Sequence, residues 1–309
     1  MGGDGIIVLG SPVGSIAFEE NILAARIEKN NTILDKLHNI EDPQIEYGLL
    51  RSCFSMPKLS FALRATNFKH HPLLLEKFDD GIRRAMEEVV GAPLDDAAYI
   101  QASLPINMGG MGLRRAVDHC SAAYVSSYCA SSSIICDIRK TSKVLSDHLD
   151  TSIDNINQLA NLNLTYEEIA PMDQKTISFH IDTHVHKKLL GMAHNSRNLA
   201  RLRAVNVKHA GAFLIATPCP NKGLKMSPQE FIFSTRYRLG LYIFPKTGIC
   251  PVPNCRKESD RYGDHSLLCA SSGERISRHN RLCDAIFGIA VEAGLSPRKE
   301  ESDIFSGSK

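Results

Sequence analysis

No stretch of this 309-residue chain approaches the roughly 18 unbroken apolar residues of a membrane-crossing helix, and its start lacks the basic-then-apolar pattern of a secretory signal. These absences argue against a membrane partner. We therefore expect a soluble intracellular protein, nuclear or cytoplasmic, whose nine cysteines are mostly reduced thiols or metal ligands. Tryptophan is also absent, which excludes no class. The glycine cluster Gly109-Gly110-Met111-Gly112 lacks the Gly-Lys-Ser/Thr ending of a phosphate loop, so it reads as a tight turn. A strong charge of one sign is missing too, since the net charge is only +2. That balance is uneven: 12 basic residues face 15 acidic ones in residues 1–115, 10 face 9 in 116–214, and 14 face 10 in 215–309. The modest positive excess at the C-terminal end favours a polyanionic partner.

What is present is an ordinary globular composition, 43% hydrophobic and 23% charged, on a chain long enough for two or three domains. Its periodicity is mainly helical. Ser15 caps an apolar stripe that continues through Leu23, Ile27 and Leu34 to about Ile40, and Asp42-Pro43 restarts the chain with a cap and a first-turn proline. The next helical segment breaks near Pro57, and Pro72 opens a helix that closes at Gly91. Asp95 or Asp96 caps a short helix ending at Leu104-Pro105, and the small-residue run after Asp118 predicts a closely packed helix. Residues 141–175 are polar and weakly periodic and predict short helices and loops. Ser227-Pro228-Gln229-Glu230 is a further helix start. One strand stands out, Ile6-Ile7-Val8-Leu9, read as buried and running into a Gly-Ser-Pro-Val-Gly turn, with its partners outside this chain.

The cysteines cluster informatively. Cys250 and Cys255 flank a proline-bent turn, nine residues separate Cys255 from His265, and three more separate His265 from Cys269. Two thiols on a turn, then an imidazole and a thiol one helical turn apart, are the donor set of a closed structural zinc site. Reduced core cysteines and a disulfide are the alternatives. A site filled by four protein ligands leaves no position for an activated water, so it points to grip rather than catalysis. A second candidate, His180 and His184 with Asp182 between them and His186 beyond, has no fourth ligand nearby and reads as an ordinary helix face. Beyond Cys269, Ser271-Ser272-Gly273 reads as a hinge. Arg275, Arg278, His279 and Arg281 then stud a helix whose other face carries Ile276, Leu282, Ile286 and Ile289.

Taken in order, several stretches resemble the reverse-transcriptase polyproteins of non-LTR (LINE-like) retrotransposons, of the class with a C-terminal restriction-like endonuclease. Residues 8–14 resemble the end of the polymerase palm. Leu104-Pro105 with Gly109-Gly110-Met111-Gly112-Leu113-Arg114 resembles the family's LP…GGLGLR segment, with Met111 at a Leu position. Residues 211–218 resemble its (G/A)-x-W-L-x-x-x-P box, with Phe213 for Trp. Arg236 to Gly240, then Cys250, Cys255, Gly263-Asp264-His265 and Cys269, resembles its knuckle, with Asp264 read as a slight departure in spacing. Arg278-His279-Asn280 with Leu282 and Asp284 resembles the box opening the endonuclease, followed by Glu300 or Glu301.

The resemblance implies a mainly α fold. Residues 1–14 would end the palm, 15–115 form thumb-like helices and 116–220 a helical connector. Residues 221–272 would form the zinc-knuckle module, and 273–309 the start of the endonuclease, with both chain ends truncated. It implies a nucleic-acid-binding fragment whose catalytic carboxylates lie elsewhere, since the chain contains no Tyr/Phe-x-Asp-Asp and no catalytic residue is assigned. Cys250, Cys255, His265 and Cys269 would hold the structural zinc. Arg256, Lys257, Arg261, Arg278 and Arg281 would contact phosphates of DNA or RNA. The competing reading is a non-enzymatic helical scaffold stapled by zinc, with protein partners unknown.

Overall fold

Local signals set most of the helices. We describe the protein from a computed structural model, which describes residues 4–140, 147–223, 225–271 and 273–299. The expectations at Ser272 and at Glu300, Glu301 and the final residues fall outside them. The chain divides into two compact units, Met1–Leu241 and Tyr242–Lys309. In the first, strands β1 (Gly5–Val8) and β2 (Ser11–Gly14) precede helices α1 (Ile16–Leu34), α2 (Pro43–Leu49), α3 (Met56–Ala65) and α4 (Pro72–Val90). Next come α5 (Asp96–Ser103), α6 (Ala116–Arg139), α7 (Asp147–Ala160), the one-turn α8 (Tyr166–Ile169), α9 (Gln174–Gly191), α10 (Ser196–Val205) and α11 (Pro228–Leu239). No helix among the described residues is long and apolar enough to cross a membrane.

The expected caps are in place. Ser15 Oγ accepts the N–H of Phe18, Asp42 accepts those of Gln44 and Ile45, and Asp95 accepts that of Ala98. Ser227 and Glu230 form a reciprocal capping box at the start of α11. Gly91 ends α4 in the left-handed region, at φ 60°. The break expected near Pro57 is a π turn over Leu50–Phe54, after which Pro57 sits in the first turn of α3. The apolar stripe of the first helix stops sooner than expected. Helix α1 ends at Leu34, and a separate 3-10 turn, Leu37–Ile40, buries Leu37.

The reading of the first strand needs correction. Its partner is the next segment, with β1 and β2 paired antiparallel from Gly5 opposite Gly14 to Val8 opposite Ser11. Leu9 and Gly10 both take positive φ, 48° and 88°, the two-residue turn whose twist matches a hairpin. The strand is not buried: Ile6, Ile7 and Val8 are exposed, and Leu9 at the turn is 87% exposed. A run of apolar residues without clear alternation looks like a buried strand in sequence, and only the turn geometry separates the two.

The main core of this unit joins α1, α2, α4 and α11 through Leu23, Ile27, Tyr47, Phe78, Met86 and Phe231. Burying each such side chain contributes about 1.5 to 3 kcal/mol. A second cluster packs Val125 of α6 against Ile153 and Ile156 of α7 and Ile177 and Ile181 of α9. The glycine turn after α5 is tight, as its sequence implied. A Cβ on Gly110 would lie 2.0 Å from the Leu104 carbonyl oxygen, so backbone fills the space a side chain would need. Tyr47 crosses the core to donate its hydroxyl to the Met111 carbonyl at 2.7 Å.

Candidate metal centre

The second unit begins with short pieces and ends in a long helix. Strands β3 (Gly248–Ile249) and β4 (Glu258–Ser259) pair antiparallel, and helices α12 (Asp264–Leu268) and α13 (Glu274–Glu292) follow. The ribbon continues one step beyond its strands, with the Cys250 N–H donating to the Lys257 carbonyl at 2.8 Å. In the connecting turn the Cys255 N–H donates to Val252, while Asn254 and Arg256 adopt left-handed φ of 68° and 52°. This turn brings the two thiols back toward each other. The other two donors come from α12, which begins after Gly263 in the left-handed region, at φ 82°. His265 lies in its first turn and Cys269 follows its last residue, so both project to one side.

The four side chains meet. Cys250 Sγ lies 3.9 Å from Cys269 Sγ, Cys269 Sγ lies 3.7 Å from Cys255 Sγ, and Cys255 Sγ lies 3.3 Å from His265 Nε2. All four donor atoms fall within 4.8 Å of one another, a spacing that can hold one metal ion. The sulfur separations are far from the roughly 2.0 Å of a disulfide bond, and the cysteines are free thiols. Cys250 and Cys269 are only 8% and 4% exposed. The backbone N–H of Lys257, ahead of its thiol and imidazole neighbours, lowers the Cys255 thiol to about 7. That favours the thiolate, which is the metal-binding form.

Asp260 holds this arrangement in place and was missed as a functional residue in the sequence. Its carboxylate accepts the backbone N–H groups of His265 at 2.8 Å, Tyr262 at 2.9 Å and Asp264 at 3.1 Å. Burial pushes the carboxyl up, but these donors outweigh it and hold it below its ordinary value. A usable signal was available. The knuckle that this stretch resembles runs Asp-x-x-Gly-x-His, and Asp260-Arg261-Tyr262-Gly263-Asp264-His265 keeps that spacing, so Asp264 fills a variable position rather than departing from it.

The five expected phosphate-contacting residues fall in different settings. Arg256 and Lys257 are exposed in and just after the turn between the first two ligands, and Arg281 is exposed on α13. Arg278 is exposed but donates to the Leu267 carbonyl at 2.6 Å. Arg261 is half-buried, with its guanidinium 3.6 Å from the centroid of the Tyr242 ring, and Tyr242 in turn packs on Tyr262. This cation–π stack orders the side chain.

The histidines of α9 form no metal cluster among the described residues. Asp182 is engaged elsewhere, accepting from Arg114 Nη2 at 2.6 Å and facing His119 Nε2 at 3.3 Å. Ser178 Oγ completes a serine–histidine–aspartate chain, 3.2 Å from His119 Nδ1. All three are buried, and the chain ties α6 to α9. Several arginines of the basic stretches are likewise structural. Arg238, 2% exposed, donates to the carbonyls of Ile106 at 2.7 Å, Gly110 at 3.1 Å and Ala210 at 3.3 Å. Arg236 donates to Val90 and Gly91, and Arg201 to Gln101 and the Arg238 carbonyl.

Fold and site together define a mainly helical protein with a Cys3His cluster able to hold one metal ion. Over 61 residues, 20% of its length, the chain is 36% identical to the retrotransposable element SLACS 132 kDa protein of Trypanosoma brucei gambiense. The match takes in 5% of that protein, so the chain spans a small part of the relative it matches. No protein-family model and no solved structure matches the chain.

Proposed function

We propose that the chain is a nucleic-acid-binding part of a retrotransposon reverse-transcriptase and endonuclease polyprotein, and that its Cys3His cluster is a structural zinc knuckle. In this reading residues 1–14 end a palm, 15–115 are a thumb, and 116–220 a connector. Residues 221–272 carry the knuckle and 273–309 begin an endonuclease. The role is grip on DNA or RNA rather than chemistry.

The observation that carries the proposal is the convergence of Cys250, Cys255, His265 and Cys269. Ligands bound to zinc through sulfur at about 2.3 Å and nitrogen at about 2.0 Å in a tetrahedron stand about 3.5 to 3.8 Å apart. The separations of 3.9, 3.7 and 3.3 Å bracket that edge length. Four protein donors would close the coordination sphere and fix the turn bearing Arg256 and Lys257. The partial identity to a retrotransposable element protein supports the same origin.

The test is zinc content together with binding of labelled DNA and RNA across a salt titration. About one zinc per chain is expected, with affinity that falls as salt rises and weakens further in Cys250→Ser or after chelation. Equal affinity with and without chelator would remove the knuckle from the interface.

One observation favours a second reading, a helical scaffold stapled by zinc. Arg201, Arg236 and Arg238 bond internal carbonyls, so those charges serve the fold. A scaffold binds one zinc but shows no salt-linked affinity for nucleic acid.

A further inference from the structure

We propose that a cavity of about 550 Å³ in the first unit, between the glycine turn after α5 and the loop after α10, is a subsite for a phosphate-bearing unit of single-stranded nucleic acid. The inference rests on the nucleic-acid reading above and gives it a location away from the metal centre.

The ionisable side chains that line it are all basic. Arg51, Arg114, Lys208 and His209 border the cavity, and no carboxylate does. Arg114 is already paired with Asp182. Arg51 is different, because its Nε is buried with no hydrogen-bond partner. A buried donor left unpaired costs about 1 to 3 kcal/mol, which an anion in the cavity would recover. The walls between these cations are apolar, formed by Pro105, Ile106, Val207 and Ile215. Charge for a phosphate beside apolar surface for a base or sugar matches both needs of a nucleotide. An acidic peptide would use the first and leave the second bare.

The walls are held before any ligand arrives. Arg238 bridges the Ile106 and Gly110 carbonyls on one side and the Ala210 carbonyl on the other. Gly211 lets the two loops touch, since a Cβ there would lie 2.3 Å from Ile106 Cγ2. A site whose frame is fixed in advance loses less entropy on binding.

The experiment measures fluorescence anisotropy of a labelled single-stranded oligonucleotide, as DNA and as RNA, with the full zinc-loaded chain. Arg51→Ala and Lys208→Ala are each expected to weaken binding about threefold to tenfold and to reduce the slope of log affinity against log salt by about 0.7 for each phosphate no longer neutralised. Ile215→Glu places a carboxylate at the mouth, where Ile215 is 60% exposed, and is expected to weaken binding at least as much. Unchanged thermal midpoints distinguish these losses from misfolding. Wild-type affinity in all three variants, with Cys250→Ser still impaired, overturns the cavity but leaves the nucleic-acid reading standing. No binding by the wild-type chain overturns both. Displacement of the oligonucleotide by an equal concentration of a polyglutamate peptide assigns the cavity to acidic chains and overturns the nucleotide subsite.

Discussion

Asp260 accepts the backbone N–H of His265 at 2.8 Å, so the residue that presents the imidazole is fixed by a carboxylate that is not itself a ligand. With Tyr262 and Asp264 also donating to it, Asp260 sets the angle at which α12 leaves the ribbon. Residues that orient a metal ligand typically change affinity about 10- to 100-fold when removed. Asp260→Ala is expected to lower zinc affinity at least tenfold in competition with a chromogenic chelator. Retention of wild-type affinity would show that the turn holds itself.

Arg238 closes a long-range network, and its loss would take from the Gly110 carbonyl its donor and leave the Ile106 carbonyl with the Gly109 N–H alone. Arg238→Met keeps much of the volume and removes the charge. We expect a loss of about 3 kcal/mol or more in urea unfolding of the first unit. Arg238→Lys should recover only part, because an ammonium cannot span the fork that the guanidinium fills. Full rescue by lysine would assign the effect to charge alone.

Two glycines make an internal control. A Cβ on Gly110 would collide with the Leu104 carbonyl, whereas one on Gly48 in α2 meets nothing within 4 Å. Gly110→Ala is expected to destabilise by about 2 kcal/mol or more, since backbone must move. Gly48→Ala is expected to stabilise by about 0.5 to 1 kcal/mol through helix propensity. Denaturant midpoints that shift the same way in both variants would contradict this difference in packing.

Asp79 carries a pH dependence. Its carboxyl oxygens accept the N–H groups of Ala116 at 2.7 Å and Val117 at 3.1 Å, yet burial, the largest influence, raises it from an ordinary 3.8 to about 7. The native chain therefore holds a proton that the unfolded chain has released. The stability this provides is complete below roughly pH 4 and is lost as pH rises through about 7. Asp79→Asn is expected to flatten the stability profile over that interval, by up to about 1.4 kcal/mol per pH unit. Parallel profiles for the two proteins would mean that Asp79 is ionised throughout.

Helix starts were legible because a cap and the N–H it accepts lie within three residues, as at Ser15, Asp42, Asp95 and Ser227. The four metal-site donors were legible for a related reason, since each pair is brought together by one turn of chain. The hairpin was not, because its partner strand, Ser11-Pro12-Val13-Gly14, carries one strand-favouring residue, Val13, beside a proline and a glycine, and is set by the positive φ of Leu9 and Gly10. The roles of the arginines were hidden as well. Arg238 and the Ile106 carbonyl are 132 positions apart.

By itself, then, the order of residues determined the helical character, the places where helices begin, and which four side chains could share an ion. These depend on interactions that close within a turn or two. Tertiary structure alone decided which cations are spent on distant backbone carbonyls, as at Arg201, Arg236 and Arg238, and which remain exposed, as at Lys208, Arg256 and Lys257. The physical reason is that a guanidinium in sequence carries only its charge and reach. Whether it faces water or a distant carbonyl is settled when the elements pack.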